Sequence, residues 1–241
     1  MEDVDIVIRS YSRDFRWLGY CLDAVRRWCS GFRQVVVVVP ERSKTRLSRW
    51  GLRPDCLIVC CDYPDDYLGQ QVTKLYADHV TDAALIAHLD SDCIIRGPLR
   101  PADLCDEHGL PRMVITPTSC FRGRGPWQDH TERFLGWPVS FDYMRSQPLL
   151  YPRWLYPQLR RHARARHGVA LDDYVLNQGP LGFSEFNALG AYAHRHHPDA
   201  FAWQISVNQG YEETHARVFW SWEGITPATE RELVGLTRNE A

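Results

Sequence analysis

The stretch Ala83-Ala-Leu-Ile-Ala-His-Leu-Asp-Ser-Asp92 decides which fold we expect for this chain. Apart from His88, its first seven residues are apolar, which suits a strand buried on both faces of a sheet. The predicted strand leads directly into Asp90 and Asp92. In open α/β sheets, ligands bind at the carboxyl ends of the strands, so the two carboxylates follow the strand where a site is expected.

The residues before this stretch alternate short β-rich runs with helical patterns. We predict strands at 5–9, 34–40 and 56–60, and helices at 13–29, 43–50 and 69–80. This alternation is typical of an α/β domain in which a central, mostly parallel sheet is flanked by helices.

The second half of the chain is richer in proline, glycine and aromatic residues, and its pattern is less regular. We predict a strand at 113–116, loops and short helices over 121–157, and helices at 157–167 and 172–178. Because we find no internal repeat or linker, we expect residues 1–241 to form a single domain.

Composition narrows the possible classes of protein. A chain of 241 residues with 44% hydrophobic residues and a net charge of -2 is expected to be globular, and not mainly a nonspecific nucleic-acid binder. Basic stretches at 42–53 and 160–166 could still attract phosphates. The eight cysteines form no Cys-x-x-Cys pair, which favours reduced thiols over a zinc site.

We also expect a cytoplasmic protein with no membrane span. Every apolar run is shorter than the roughly 20 residues that a membrane-spanning helix needs. The first residues, Met1-Glu-Asp-Val-Asp5, are acidic, whereas a signal peptide begins with basic residues.

Asp90 and Asp92 provide hard oxygen ligands of the kind that Mg²⁺ and Mn²⁺ prefer. A cation held there would neutralise a diphosphate leaving group. An Asp-x-Asp pair also forms turns and caps in many proteins, so the residues alone leave both interpretations open.

Four segments carry a resemblance to a known family. In chain order they are residues 5–11, Gln70-Gln71-x-x-Lys74-Leu75, Asp90-Ser-Asp92, and residues 184–192 with the sequence Ser-Glu-Phe-Asn-Ala-Leu-Gly-Ala-Tyr. Their order and spacing resemble the metal-dependent glycosyltransferases of the GT-A type. The chain looks most like a bacterial and phage group of glycosyltransferase-like domains of unknown function.

The resemblance covers residues 5–195 and implies a GT-A-like, Rossmann-type sandwich. Residues 1–117 would form a nucleotide-sugar-binding half, and residues 118–241 an acceptor-side half. A UDP- or GDP-sugar is the implied donor, and the implied donor-binding residues are Ser10, Tyr11, Ser12, Gln71, Lys74, Asp90 and Ser91. Asp90 and Asp92 would hold Mn²⁺ or Mg²⁺, and a histidine could add a further ligand, with His194 as first candidate and His196 and His197 as alternatives.

A catalytic base is needed if the reaction inverts the anomeric centre, but not if it retains it. The resemblance makes Glu185 the first candidate, followed by Asp172 and Asp173. Ser12, Asp172 and Asp173 could instead cap helices, Glu185 could be paired structurally, and Lys74 could simply be exposed to solvent. Candidates for an aromatic acceptor wall are Trp127, Trp203, Trp220 and Trp222.

Other functions compete with this interpretation. A magnesium phosphohydrolase with an aspartate nucleophile usually has its Asp-x-Asp on the first strand and a later Gly-Asp pair, which this sequence lacks. A sugar nucleotidyltransferase would need a glycine-rich loop where residues 10–14 stand. A non-catalytic protein of the same fold that binds glycans or DNA also remains open. For a transferase, the acceptor could be an envelope glycan or a modified DNA base.

Overall fold

The structure is a computed structural model that describes residues 3–50, 52, 55–179 and 181–237. The described residues form eight α-helices: α1 (Phe15–Trp28), α2 (Glu41–Arg49), α3 (Asp66–Leu75), α4 (Gln128–Leu135), α5 (Leu155–His167), α6 (Leu171–Leu176), α7 (Glu185–His196) and α8 (Pro227–Thr237). They also form ten strands: β1 (Val4–Arg9), β2 (Val35–Pro40), β3 (Cys56–Cys60), β4 (Leu85–His88), β5 (Cys93–Ile95), β6 (Arg112–Pro117), β7 (Phe141–Asp142), β8 (Leu149–Pro152), β9 (Ala202–Ile205) and β10 (Ala216–Val218).

A five-stranded sheet in the order β3-β2-β1-β4-β8 forms the centre of the protein. The pairs among β1, β2, β3 and β4 are parallel, and β8 runs antiparallel to β4. Every residue of β1 is buried, as expected for a central strand of a parallel sheet. The predicted α/β class with a mostly parallel sheet flanked by helices is therefore confirmed.

Helices cover both faces of this sheet, because successive strand residues point to opposite sides. On β1, Val7 packs in one hydrophobic cluster, and Ile6 and Ile8 pack in the other. The cluster around Ile6 includes the apolar face of α1 and Leu233 of α8. The opposite cluster is formed with α3, α5, α6 and α7.

The second half contributes to the central sheet through β8, which lies in the region that we predicted as loops and short helices. Leu149 pairs with His88, and Pro152 pairs with Leu85. A four-residue strand that follows Pro148 and ends with Pro152 shows too little alternation to be predicted, and proline is tolerated here because β8 is an edge strand. That part of the prediction was wrong.

Two smaller sheets accompany the central one. β6 pairs with β7 and β9, and β5 pairs with β10. The helix predicted at 69–80 ends at Leu75 and is followed by a 3₁₀ turn, Ala77–His79. None of the eight cysteines, all of which lie among the described residues, forms a disulfide. Among the described helices, none has the length and hydropathy of a bilayer span.

Candidate functional site

A cleft of about 1200 Å³ opens beyond the carboxyl ends of β1 and β4. The first half contributes Arg9 at the end of β1 and Tyr11 after it, Gln71 and Lys74 from α3, and the segment 90–92 after β4. The second half contributes Glu185 at the start of α7, together with residues between 209 and 224 from β10 and the turns on either side of it. The cleft thus lies at the edge of the sheet where the sequence predicted a site.

Lys74 lies at the centre of the cleft floor, between two carboxylates. Its Nζ is 2.6 Å from Asp90 Oδ1 and 2.8 Å from Glu185 Oε1. The side chains of Lys74 and Glu185 are only 5% and 7% exposed. Helix α3 carries Lys74 to this position, and its first turn is capped by Asp65, which accepts hydrogen bonds from the backbone N–H groups of Tyr67 and Leu68.

The electrostatic state of Lys74 follows from these contacts. Burial by itself would lower the pKa of Lys74, but the charges and hydrogen bonds of Asp90 and Glu185 outweigh it and raise the pKa. The Phe186 ring, 4.8 Å from Nζ, adds a cation–π contact. Lys74 is therefore a buried ammonium group, and the alternative of a solvent-exposed lysine was wrong.

Asp92, the second carboxylate of the pair, is held by the chain at 219–221. The Ser221 N–H donates to Asp92 Oδ2 at 3.0 Å, and the Phe219 N–H donates to the Asp92 carbonyl at 3.0 Å. Burial, followed by the charge of Asp90, raises the pKa of Asp92 to about 6. Burial and the charge of Asp92 likewise raise the pKa of Asp14 to about 7. Asp14 lines the cleft, and we did not predict it as a site residue.

Several polar atoms around the cleft are buried without a hydrogen-bond partner among the described residues. Gln147, which we also did not predict, donates from Nε2 to Asp90 Oδ2 at 3.2 Å, while its Oε1 is buried without a partner. Gln71 Oε1 and Arg9 Nη2 are likewise buried without a hydrogen-bond partner among the described residues. Because buried polar atoms in folded proteins are normally paired with protein or water, these three groups suit a cleft that binds a polar ligand.

The predicted donor-binding residues separate into two groups. Tyr11, Gln71, Lys74, Asp90 and Ser91 line the cleft. Ser10 and Ser12 do not line it.

Each of these serines has another environment. Ser10 is buried at the end of β1. Ser12 accepts from Arg46 Nη1 at 3.4 Å through its hydroxyl, and its N–H donates to Ser43 Oγ at 3.1 Å. The cap position of α1 belongs to Asp14, so the alternative that Ser12 caps this helix was wrong.

Asp172 and Asp173, the alternative bases, do not reach the cleft. Both lie in the first turn of α6, where negative charge favours the helix, but the cap position is taken by Ala170. Asp172 Oδ1 accepts from the Tyr76 hydroxyl at 3.1 Å, and Asp173 is exposed. Of the predicted bases, the structure brings only Glu185 to the cleft.

His194, the candidate third metal ligand, also lies away from Asp90 and Asp92. It occupies the last turn of α7, about 13 Å along the axis from Glu185 at a rise of about 1.5 Å per residue. Its Nδ1 is 2.9 Å from the Tyr143 hydroxyl, and its ring packs against Trp203. His196 and His197 pack against Trp137 and Trp154, outside the cleft.

Asp90 and Asp92 suit one particular kind of cation site. Among the described residues, no three His, Cys, Asp or Glu side chains form a group that could hold a metal. Magnesium is commonly held by one or two protein carboxylates, with water and substrate phosphates completing its shell. The donor set therefore fits a cation that arrives with a diphosphate and does not fit a site built from protein ligands alone.

The rim of the cleft is aromatic. Trp127, Trp220 and Trp222 line it, whereas Trp203 packs against Phe201 and donates from Nε1 to the Pro198 carbonyl. The Trp220 and Trp222 rings stack with centroids 4.5 Å apart and planes 30° from parallel. Trp222 is 74% exposed, so one face of this pair is open to solvent.

The segment 208–210 at the rim is tied to the protein by Arg145, another residue that we did not predict. Arg145 is buried and donates to Thr116 Oγ1 at 3.1 Å and to the carbonyls of Asn208 and Gly210. Asp142 is its ion-pair partner at 3.6 Å. Sequence reasoning missed Arg145 and Gln147 because both follow short or irregular elements with no recognisable pattern.

No protein-family model matches this chain, and no curated protein matches it.

Proposed function

We propose that this protein is a metal-dependent glycosyltransferase that uses a nucleotide-sugar donor. The observation that carries the proposal is the ammonium group of Lys74, 2.6 Å from Asp90 and 2.8 Å from Glu185, at the carboxyl edge of a parallel sheet. The adjacent Asp92 and the volume of the cleft, about 1200 Å³, support it, because a nucleotide sugar needs both a charge-neutralising centre and space.

In this proposal, Asp90 and Asp92 would hold Mg²⁺ or Mn²⁺, which would supply positive charge to neutralise the diphosphate. Lys74 adds a fixed positive charge in a buried setting, where electrostatic stabilisation is stronger than in water. The bond between the sugar C1 and the phosphate oxygen breaks, and its electron pair stays on the nucleotide. A new bond forms between C1 and an acceptor hydroxyl oxygen, whose proton passes to a base.

Glu185 has two possible duties in the proposal. Its contact with Lys74 assigns it first to positioning the ammonium group. Its role as the base of an inverting reaction stays a prediction. Asp172 and Asp173 have no support as bases, because they lie outside the cleft.

The proposal is tested by measuring donor binding calorimetrically with a panel of UDP- and GDP-sugars, with Mn²⁺ and with EDTA. We expect Mn²⁺-dependent binding and slow release of free nucleotide without an acceptor. Asp92→Asn, which keeps an acceptor for the Ser221 N–H, should weaken Mn²⁺-dependent binding by at least about 100-fold, because loss of an outer-shell partner of a metal ligand already costs about 10–100-fold.

Asp199→Asn, a change to an exposed carboxylate in the 3₁₀ turn Pro198–Ala200, is the matched control and should bind the donor like the wild type. Absence of donor binding with or without metal would refute the transferase. Release of inorganic phosphate from small phosphate esters would favour the phosphohydrolase, and donor binding without any turnover would favour a non-catalytic protein.

A further inference from the structure

The stacked tryptophans at the rim are directly connected to the acidic pair. Ser221, between Trp220 and Trp222, donates its N–H to Asp92 Oδ2 at 3.0 Å. Trp220 also packs edge-on against Tyr211, with centroids 5.5 Å apart, which supports the inner ring of the pair. A flat group resting on the open face of Trp222 would therefore lie next to the centre where transfer is proposed.

An exposed tryptophan face binds both sugars and nucleobases, so the ring alone does not select between them. The charge of the side chains around the ring does distinguish a sugar from a nucleic acid. Nine carboxylates and five cationic side chains line the cleft, and a single divalent cation would not reverse this excess. Glu223 adjoins Trp222 in the chain, and Glu213 and Glu232 lie on the same lining.

Three of the five cations are already paired with carboxylates of the cleft. Lys74 contacts Asp90 and Glu185, and Arg145 contacts Asp142. Arg217 contacts Glu213 at 2.6 Å and Glu232 at 3.0 Å. In the proposed function Lys74 serves the donor diphosphate, so these three cations offer little positive charge to a second, polyanionic substrate.

The basic stretches at 42–53 and 160–166, which left DNA open as an acceptor, add no positive charge to the cleft lining, because none of their described residues lines the cleft. In the first stretch, Arg42 pairs with Asp66. In the second, Arg160 pairs with Asp78 at 2.6 Å. Nucleic-acid binding depends on cationic groups that neutralise phosphates, and this cleft surrounds its aromatic platform with carboxylates instead.

We infer that the acceptor is an uncharged saccharide that stacks on Trp222, and not a nucleic acid. A pyranose ring presents an apolar C–H face to the indole and hydroxyl groups to the polar lining, and it brings no charge into an acidic cleft. This inference rests on the proposed function, because it concerns the second substrate of the same reaction.

The test uses whichever nucleotide sugar binds in the donor assay and measures the stimulation of nucleotide release by two classes of acceptor. The first class is a panel of neutral hexasaccharides of glucose, galactose, mannose and N-acetylglucosamine. The second is a set of 12-nucleotide single-stranded DNAs containing cytosine or 5-hydroxymethylcytosine. We expect at least one neutral hexasaccharide, and no DNA, to stimulate release about tenfold.

Trp222→Ala should raise the acceptor KM about tenfold and Trp222→Tyr should restore most of it, since a tyrosine ring can still stack. Trp50→Ala is the matched control, because Trp50 is also exposed, at 52%, and does not line the cleft. Stimulation by DNA, stimulation by neither class, or an unchanged saccharide KM in Trp222→Ala would overturn the inference. Donor binding and acceptor-free release are measured separately, so a failure of the proposed function would appear there first.

Discussion

The floor and the rim of the cleft are built in contrasting ways. The floor places Lys74, Asp90 and Glu185 on a helix, a strand end and a helix start, and Lys74 and Glu185 are almost completely buried. The rim places Trp220 and Trp222 on a turn, with Trp222 largely exposed. The charged groups are thus held by rigid elements, whereas the aromatic surface is carried by a loop.

This difference separates two kinds of contribution. A buried ion pair is tied to the stability of the fold, because removal of one partner leaves the other charge without compensation. An exposed ring on a loop can be removed with little effect on folding, while binding changes. The two regions should therefore respond differently to mutation, and the following predictions test that contrast.

The largest expected effect is that of Lys74→Met. It removes the buried ammonium group and leaves Asp90 and Glu185 facing each other, so we expect a loss of about 3–5 kcal/mol in the free energy of unfolding. Nucleotide release should fall by about 100-fold. Urea denaturation and a release assay measure the two effects.

Lys44→Met is the natural control, because Lys44 and Lys74 are the two lysines of the chain. Lys44 lies on the surface, 3.9 Å from Glu41, with its side chain 53% exposed. Its loss should change stability by less than about 0.5 kcal/mol. A similar cost for both substitutions would remove the distinction between the buried floor and the surface.

The next largest effect concerns the packing of α7, the helix that begins with Glu185. A Cβ added at Gly190 would lie 2.6 Å from Cγ of Tyr143, which is buried against the helix. Gly190→Ala should therefore cost about 1–3 kcal/mol through overpacking, although alanine is the better helix former. Because α7 would shift, nucleotide release should also fall.

Gly235→Ala provides the comparison for that measurement. Gly235 lies within α8, and a Cβ there meets no atom within 4 Å among the described residues. We expect a gain of about 0.5–1 kcal/mol from helix propensity alone. A destabilised Gly235→Ala, or a neutral Gly190→Ala, would contradict the packing of the helices described above.

The smallest expected effect is a change in pH dependence. The pKa of Asp92 is raised from 3.8 to about 6 in the folded protein, so between these values the folded state binds a proton that the unfolded state has released. This group therefore adds stability as the pH falls from about 6 to about 4. Asp92→Asn should flatten the stability profile in that window by up to about 1.4 kcal/mol per pH unit.

Cation binding should show the opposite trend, because protonated Asp92 is a poor ligand. In the wild type, Mn²⁺-dependent donor binding should weaken as the pH falls below about 6. Calorimetry at pH 5, 6 and 7 measures this, alongside urea denaturation at the same values. Donor binding that strengthens at pH 5 would rule out a metal role for an ionised Asp92.

The elements that were predictable have strong local patterns. Strands β1, β2 and β4 are apolar runs, and α1 repeats its apolar residues at helical spacing, so hydrophobic burial within a short window determines each. The short strand β8 lacks such a pattern, and the helix α7 was not predicted from the sequence. Their formation depends on partners distant in the chain.

For the site, the sequence by itself determined that Asp90 and Asp92 follow a buried strand and that Gln71 and Lys74 share a helix, because strand burial and helical spacing are local properties. Only the tertiary structure decided that Lys74 meets Glu185, that Gln147 and Ser221 bind the acidic pair, and that His194 and Asp172 stay outside the cleft. The physical reason is that these contacts depend on loop paths and helix lengths, which bring together residues far apart in the chain.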